Sequence, residues 1–273
     1  MPSQTSAQKA AVSNFVSITG ASERTATKYL RNVSYKLNEA VDAFFQSNGG
    51  GSGATSGAAS RESQLNQLFD GLRNEKEDSK DTLGAESAMG YLQSLGVGLE
   101  DASLFLVVEL IQAPSIGEIS RAGFVNGWKE AGVDVKMDAQ AAYISQLTSS
   151  LARDRDLFRR VYRYAFVAGK EGDKRALTLD MAILYWDTLF RKPGPSWVGS
   201  STGIDWMKEW KYFLEENWKR SVSRDMWNQT LEFVYKSIDD ESLGFWSEDG
   251  AWPGVIDEFV QWYKRKSEME LDA

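Results

Sequence analysis

The sequence predicts an all-α fold, and three observations support this prediction. Along most of the chain, apolar residues recur at intervals of three and four, the period of an amphipathic helix. No run of useful length alternates between apolar and polar residues, and the dipeptides typical of β-hairpins are scarce. The 273 residues are 42% hydrophobic and 26% charged, which are ordinary values for a soluble globular protein.

Residues 8–46 predict a small domain of three short helices. A break at residues 18–21 separates the first two helices, and Ser22 is a suitable N-cap for the second. Apolar residues at helical spacing supply the expected core: Val12, Phe15, Val16, Tyr29, Leu30, Leu37, Ala40, Val41 and Phe44. A core this small gives only marginal stability to a domain on its own.

Residues 47–60 are rich in Gly, Ser and Ala, which predicts a flexible linker. Gly51 and Gly53 come close to the spacing of a phosphate-binding glycine motif. No strand precedes them and the low complexity of the segment explains the glycines, so nucleotide binding is disfavoured.

Residues 61–266 predict a larger helical domain. The segment Leu104–Ile111 is apolar almost all round, so periodicity alone leaves a buried helix and a buried strand open. Its helical neighbours favour a helix. Further helices are predicted around residues 65–72, 89–95, 120–128, 143–151, 157–166 and 179–186.

The last part of this domain carries most of the tryptophans, since eight of the ten lie between Trp197 and Trp262. Two apolar stripes and a third helix that begins near Pro253 are predicted here. Lys264, Arg265 and Lys266 follow, where cations would suit a helix C-terminus. Acidic residues occupy the joints between these helices. A rigid apolar block with an acidic rim is typical of a docking surface.

Composition excludes several kinds of chemistry. The chain has no cysteine and no histidine, so it offers no disulfide, no thiol nucleophile, no His general base and no Cys/His zinc site. We therefore expect neither a metal nor a cofactor. The net charge of −8 disfavours nucleic acid as a partner and favours a basic protein surface.

Two further site types find little support in the sequence. Helix–loop–helix spacing over residues 105–190 suggests EF-hands, but 170–174 and 248–250 lack the alternating ligands of a calcium loop. We therefore expect EF-hand-like helix pairs that lack metal. Acids together with tryptophans could also describe a glycosidase. However, 39 acids guarantee chance pairs, and the tryptophans stand at the spacing of core residues.

The sequence predicts an intracellular protein of the cytoplasm, the nucleus or both. The first residues show neither the basic start nor the apolar run of a signal peptide. The longest apolar run, Leu104–Val108, is far too short to span a bilayer, so no membrane association is expected.

The N-terminal segment resembles a ubiquitin-associated domain. The loop Thr19-Gly20-Ala21 and the end of the third helix, Phe44-Phe45, match the positions that form the hydrophobic ubiquitin-binding surface of that family. The resemblance implies that these five residues bind ubiquitin or a related modifier. In the alternative interpretation, Phe44 is a core residue and Phe45 is merely exposed.

The larger domain resembles the defective-in-cullin-neddylation family. Three blocks carry the resemblance, in the expected order and spacing: Asp180–Trp186, Trp218–Asn228, and Glu248–Pro253 followed by Ile256–Val260. It covers roughly residues 61–266 as the potentiating-neddylation domain of the family. Many members carry a ubiquitin-associated module before this domain.

This resemblance implies a non-catalytic, scaffold-like co-ligase for cullin neddylation. The family binds the C-terminal winged-helix domain of a cullin through an acidic patch, and the matching residues are Asp225, Ala251 and Asp257. The other expected partners are the cullin-bound RING subunit and the conjugating enzyme. Helix-start geometry alone is an alternative explanation for Asp225, because a carboxylate in a first turn gains about 0.3–1 kcal/mol from the helix dipole.

The resemblance also implies a pocket for the N-acetylated first Met of the conjugating enzyme. The residues at matching positions are Phe105, Val108, Ile119, Met181 and Tyr185. All five could equally be core residues. Two other functions stay open. One is a ubiquitin-binding adaptor without effect on the ligase, and the other is a carboxylate enzyme, which would need a deep polar pocket with a raised pKa.

Overall fold

A computed structural model of the protein describes residues 6–19, 22–33, 35–37, 39–41, 43, 53–170 and 172–271. Within these ranges the regular structure is helical apart from four two-residue strands, which confirms the all-α prediction. The chain divides into two compact units, Met1–Ser63 and Gln64–Ala273. No helix in the described ranges combines the length and the apolar composition needed to cross a membrane.

The first unit contains α1 (Ser6–Thr19) and α2 (Glu23–Asn32). Ser22 is the N-cap of α2 as predicted, and its side chain accepts a hydrogen bond from the Thr25 amide at 3.3 Å. Residues 37, 39–41 and 43 are helical, where the third helix was expected. Among the described residues of this unit, the buried core contains Val12, Phe15, Ala26, Leu30 and Ala40.

Helix α3 (Gly53–Leu72) begins inside the segment 47–60, for which the composition predicts a flexible linker. The chain is helical from Gly53 onward, and residues 47–52 lie outside the described ranges. The domain boundaries at 47–60 stay a prediction. Residues 53–60 include three alanines, the best helix formers, and they lead directly into the amphipathic run. Leu65 and Phe69 anchor that run in the core of the second unit.

The second unit continues with nine α-helices in the described residues: α4 (Ala85–Ser94), α5 (Ala102–Leu110), α6 (Arg121–Ala131), α7 (Met137–Ser150), α8 (Arg155–Gly169), α9 (Leu179–Leu189), α10 (Trp206–Phe213), α11 (Arg224–Asp239) and α12 (Gly254–Leu271). A π-helical turn, Leu214–Trp218, extends α10. Helix α5 is the apolar segment that periodicity left open; it is buried along Ala102–Val108 and packs on α6, α7, α8 and α9.

Two short antiparallel pairings join the loops of successive helix pairs. Strand β1 (Thr82–Leu83) pairs with β2 (Ile119–Ser120), and β3 (Ala176–Leu177) pairs with β4 (Val222–Ser223). Each pairing links two helix–loop–helix units, the EF-hand-like arrangement that the sequence suggests. In the described part of the chain, no group of three or more acidic residues is placed to hold a metal ion.

A hydrogen-bonded aromatic cluster ties α8, α9 and α11 together. The indoles of Trp186 and Trp227 stack with centroids 5.1 Å apart, and the Tyr162 ring stacks on Trp227 at 4.5 Å. The Tyr162 hydroxyl accepts from Trp186 Nε1 at 2.7 Å and donates to the Trp227 carbonyl at 2.8 Å. Because these buried polar atoms form hydrogen bonds with one another, the cluster avoids the free-energy penalty of unpaired buried polar groups.

Helix α12 extends to Leu271, so Lys264, Arg265 and Lys266 lie within the helix rather than at its C-terminus. Two of these cations interact with neighbouring parts of the fold. Lys266 Nζ lies 2.7 Å from a carboxylate oxygen of Glu209 on α10. Lys264 Nζ lies 4.7 Å from the centroid of the Trp246 ring.

Candidate functional site

Asp225 lies exposed in the first turn of α11. Strand β4 leads directly into this helix, and the Ser223 hydroxyl caps it by accepting from the Met226 amide at 3.2 Å. The position of the carboxylate is therefore set by a strand pairing and a helix cap. The partial positive charge of the helix N-terminus favours an anion there.

Asp257 lies in the first turn of α12 and is partly buried. The Pro253 carbonyl starts this helix by accepting from the amides of Ile256 at 2.8 Å and Asp257 at 3.3 Å. The Asp257 carboxylate accepts a hydrogen bond from Trp246 Nε1 at 2.8 Å. Asp257 is therefore an oriented carboxylate rather than an ordinary exposed acid, and its orientation depends on a tryptophan that the motif did not identify.

Ala251 is exposed on the loop 240–253, which connects α11 to α12. Next to it, Trp252 packs against Phe233 of α11 at 5.9 Å and against Phe245 of the loop at 6.0 Å. These ring contacts hold the loop against the helix. The methyl group of Ala251 stands at the surface while its neighbour is anchored below.

The structure places these three residues on two packed helices and the loop between them. Helices α11 and α12 are in contact, with the rings of Phe233 and Phe259 5.8 Å apart. Each carboxylate belongs to a helix N-terminal turn, and the loop carries the small residue. Such an arrangement can accept hydrogen bonds from basic side chains and still allow a partner backbone to approach closely. We call Asp225, Ala251 and Asp257 the acidic patch.

The five predicted pocket residues belong to one hydrophobic core cluster, with Met181 partly buried at its edge. The other four, Phe105, Val108, Ile119 and Tyr185, are each at most 6% exposed. The Phe105 and Tyr185 rings meet edge to face at 4.8 Å, which joins α5 to α9. Burial raises the pKa of the Tyr185 hydroxyl to about 12, so this hydroxyl stays neutral.

Beside these buried residues, α9 presents an exposed apolar side chain that the resemblance did not identify. The side chain of Leu184 is 56% exposed, whereas the next two residues of the helix, Tyr185 and Trp186, are buried. Its signal in the sequence is weak, because an apolar residue between apolar neighbours in α9 looks like core.

Of the predicted ubiquitin-binding residues, the described ranges contain Thr19 alone. It ends α1, and its hydroxyl donates to the Phe15 carbonyl at 2.7 Å. Gly20, Ala21, Phe44 and Phe45 lie outside the described ranges. The ubiquitin-binding surface stays a prediction.

A carboxyl group suited to acid–base catalysis would need a raised pKa, and Glu109 on α5 meets this condition. Burial raises the pKa of Glu109. Its carboxylate, however, lies 3.5 Å from Arg160 Nε in an ion pair across α5 and α8. An ion pair between packed helices accounts for this group without any catalytic role.

Two protein-family models match this chain, one in each unit. A family model described as cullin binding matches residues 139–262, a range that contains the whole acidic patch together with Met181 and Tyr185. A model described as a UBA-like domain matches residues 9–51.

Similar proteins match nearly the whole chain. Defective in cullin neddylation protein 1 of Pyricularia oryzae is 42% identical over 98% of this chain and 99% of its own length. The protein of the same name from Yarrowia lipolytica is 30% identical over 91% of this chain and 94% of its own length. Human DCN1-like protein 3 is 28% identical over 81% of this chain and 70% of its own length. This chain therefore belongs to the defective-in-cullin-neddylation family.

Proposed function

We propose that this protein acts in cullin neddylation as an accessory factor and that its acidic patch binds a cullin. The observation that carries the proposal is the position of the patch. Asp225, Ala251 and Asp257 fall inside the matched cullin-binding region, in the first turns of two packed helices and on the loop between them.

The partner surface that fits this patch is the basic C-terminal winged-helix domain of a cullin. Asp257 is held by Trp246, so its remaining hydrogen-bonding capacity is preoriented. Asp225 adds a second negative charge at an exposed helix start. Opposite charges on the two surfaces raise the association rate and select the partner, an effect that salt weakens.

The second proposed partner is the neddylation conjugating enzyme, bound through its N-acetylated first Met. Acetylation removes a charge that would be costly to bury, so an apolar site can distinguish the acetylated terminus from the free one. Phe105, Val108, Ile119, Met181 and Tyr185 are the candidate residues. Since four of them are packed in the core, binding requires that α5 and α9 open locally.

The proposed activity is that of a non-catalytic co-ligase. The protein holds the cullin, its RING subunit and the charged conjugating enzyme together, so that the modifier reaches a cullin lysine. Correct orientation of bound reactants can supply up to about 7–11 kcal/mol of a reaction barrier. With no cysteine in the chain, the modifier thioester stays on the conjugating enzyme.

The test is a titration of the full chain with a cullin winged-helix fragment at low and moderate salt. We expect binding that weakens with salt and is lost in Ala251→Arg, because this substitution sets a like charge and a long side chain against a basic partner. Ala251→Ser is the size-matched control. Unchanged neddylation rates with Ala251→Arg would show that the acidic patch is wrongly assigned.

The UBA-like match at residues 9–51 favours a second candidate, a ubiquitin-binding adaptor. A purified neddylation reaction separates the two functions. A co-ligase accelerates modifier transfer to the cullin, and excess free ubiquitin leaves that acceleration unchanged. An adaptor binds ubiquitin and leaves the rate at its basal value.

A further inference from the structure

The loop between α9 and α10 surrounds the carboxylate of Glu241, which lies two residues after the end of α11. Glu241 accepts hydrogen bonds from the amides of Ser201 and Thr202, both at 2.9 Å. It also accepts from the Thr202 hydroxyl, and its other oxygen lies 3.3 Å from the Ser200 hydroxyl. Four donors from three consecutive residues therefore converge on one carboxylate.

The backbone of this loop is shaped to admit the carboxylate. A Cβ on Gly199 would clash with Glu241 Oε2, so glycine is required for the close approach. Gly203 has a φ of +72°, in the left-handed region that favours glycine. Successive amides that point into one concavity form an anion-binding nest. We call residues 199–203 the anion cradle.

The cradle keeps its resident carboxylate ionised. Hydrogen bonds from the Ser201 amide and the Thr202 hydroxyl lower the pKa of Glu241 to about 2. The three donor residues are exposed, so water can replace the carboxylate if it is removed. The loss of the Glu241 carboxylate should therefore make the cradle and the loop that follows Glu241 more mobile without unfolding the domain.

Glu241 stands where the chain leaves α11 towards Ala251. The Asp240 carboxylate turns the chain by accepting from the Ser242 amide at 3.1 Å and from its hydroxyl at 2.6 Å. Leu243 follows, buried and with a φ of +57°. A non-glycine residue in this region is strained, and it persists only where its surroundings hold it. Glu241 lies two positions before Leu243 and is anchored to the cradle.

We propose that the anion cradle and Glu241 form a latch that positions the Ala251 loop for cullin binding. The inference rests on the proposed function, since it assigns Glu241 as a positioning residue that acts through the loop rather than by touching the cullin. Removal of the carboxylate leaves an empty site for a small carboxylate ion. Acetate in solution should then occupy the cradle of Glu241→Ala.

The experiment compares the full-length protein with Glu241→Ala and with Glu248→Ala, an exposed acid of the same loop. Amide hydrogen exchange and affinity for the cullin winged-helix fragment are measured in sodium chloride and in sodium acetate at equal ionic strength. In Glu241→Ala we expect exchange at Ser201, Thr202 and residues 242–251 to rise by about tenfold or more. Affinity should fall by roughly three- to tenfold, which corresponds to the net contribution of about one ordinary hydrogen bond.

Acetate should reverse part of both changes in Glu241→Ala and should alter neither the wild type nor Glu248→Ala. Unchanged amide exchange in Glu241→Ala, or no response of that variant to acetate, would overturn the proposal. If the wild type fails to bind the cullin fragment, the proposed function is rejected. The exchange measurements then still decide whether the cradle holds an anion and fixes the loop.

Discussion

The acidic patch and the predicted pocket represent two ways in which a binding site is built into a helical domain. Asp225 and Ala251 are exposed and Asp257 is held by Trp246, so the patch can meet a partner as it stands. Four of the pocket residues are instead packed in the core. Polar residues at helix starts are exposed, so they can be distinguished from core residues. The residues of an apolar pocket are of the same types as core residues and are buried like them.

The largest effect that would test this contrast is on stability. Tyr185→Ala should lower the free energy of unfolding by about 3–5 kcal/mol, the range for truncation of a buried aromatic side chain. Chemical denaturation measures it, and exposed Leu184→Ala, which should stay within about 0.5 kcal/mol, is the control. A loss below about 1 kcal/mol in Tyr185→Ala would mean that the pocket is already open.

The next effect concerns the patch. Asp257→Ala should weaken cullin binding by about 2–5 kcal/mol, because truncation leaves the basic partner group unpaired in the interface. Calorimetric titration measures the affinity, with exposed Glu258→Ala as the control. Equal affinities for the two variants would contradict a special role for Asp257.

A smaller effect separates the two carboxylates of the patch. Asp225 is exposed, so Asp225→Asn should cost about 0.2–1 kcal/mol, the range for exposed ion pairs. The change should appear in the association rate and in a shallower salt dependence, measured by stopped-flow mixing. A change confined to the dissociation rate would place Asp225 in a desolvated contact.

The smallest effect is a dependence of stability on pH at the end of α11. The pKa values of Asp239 and Asp240 are lowered by hydrogen bonds from Arg155 and from Ser242, and that of Glu241 falls from 4.5 to about 2. A lowered folded-state pKa adds stability above the unfolded value, and this stability is lost as the pH falls towards the folded value. The melting-temperature gap between the wild type and Glu241→Gln should therefore shrink as the pH falls from about 4.5 towards about 2. A melting-temperature difference that stays constant over this pH range would contradict a stabilising role of the ionised Glu241 carboxylate.

The helices were predictable because their apolar periodicity is local. Stripes such as that of α11 and the apolar α5 are where the spacing indicates. A two-residue strand is too short to show the alternation of apolar and polar residues that predicts a strand, so none of the four strands was predicted. The sequence did not predict that α3 extends back to Gly53, because glycine and serine dominate the composition around its alanines.

The candidate site residues that belong to a sequence motif were predictable. Contacts between residues far apart in the sequence were not. The hydrogen bond from Trp246 to Asp257 joins residues 11 positions apart, and Glu241 meets Ser201 across 40 positions. No local pattern encodes such contacts, because they depend on how the helices pack. The buried state of Tyr185 likewise follows from the neighbouring α5 rather than from the sequence of α9.

The stacked indoles of Trp186 and Trp227 also have an optical consequence. Their planes are inclined by only 12° with centroids 5.1 Å apart, and both are buried. Electronic transitions of aromatic rings held so close and so rigidly couple, which gives a near-ultraviolet circular dichroism band that a mobile pair would lack. The stack joins α9, one wall of the predicted pocket, to α11, which carries Asp225. A spectroscopist could thus follow, without any added dye, whether occupation of one site disturbs the packing that leads to the other.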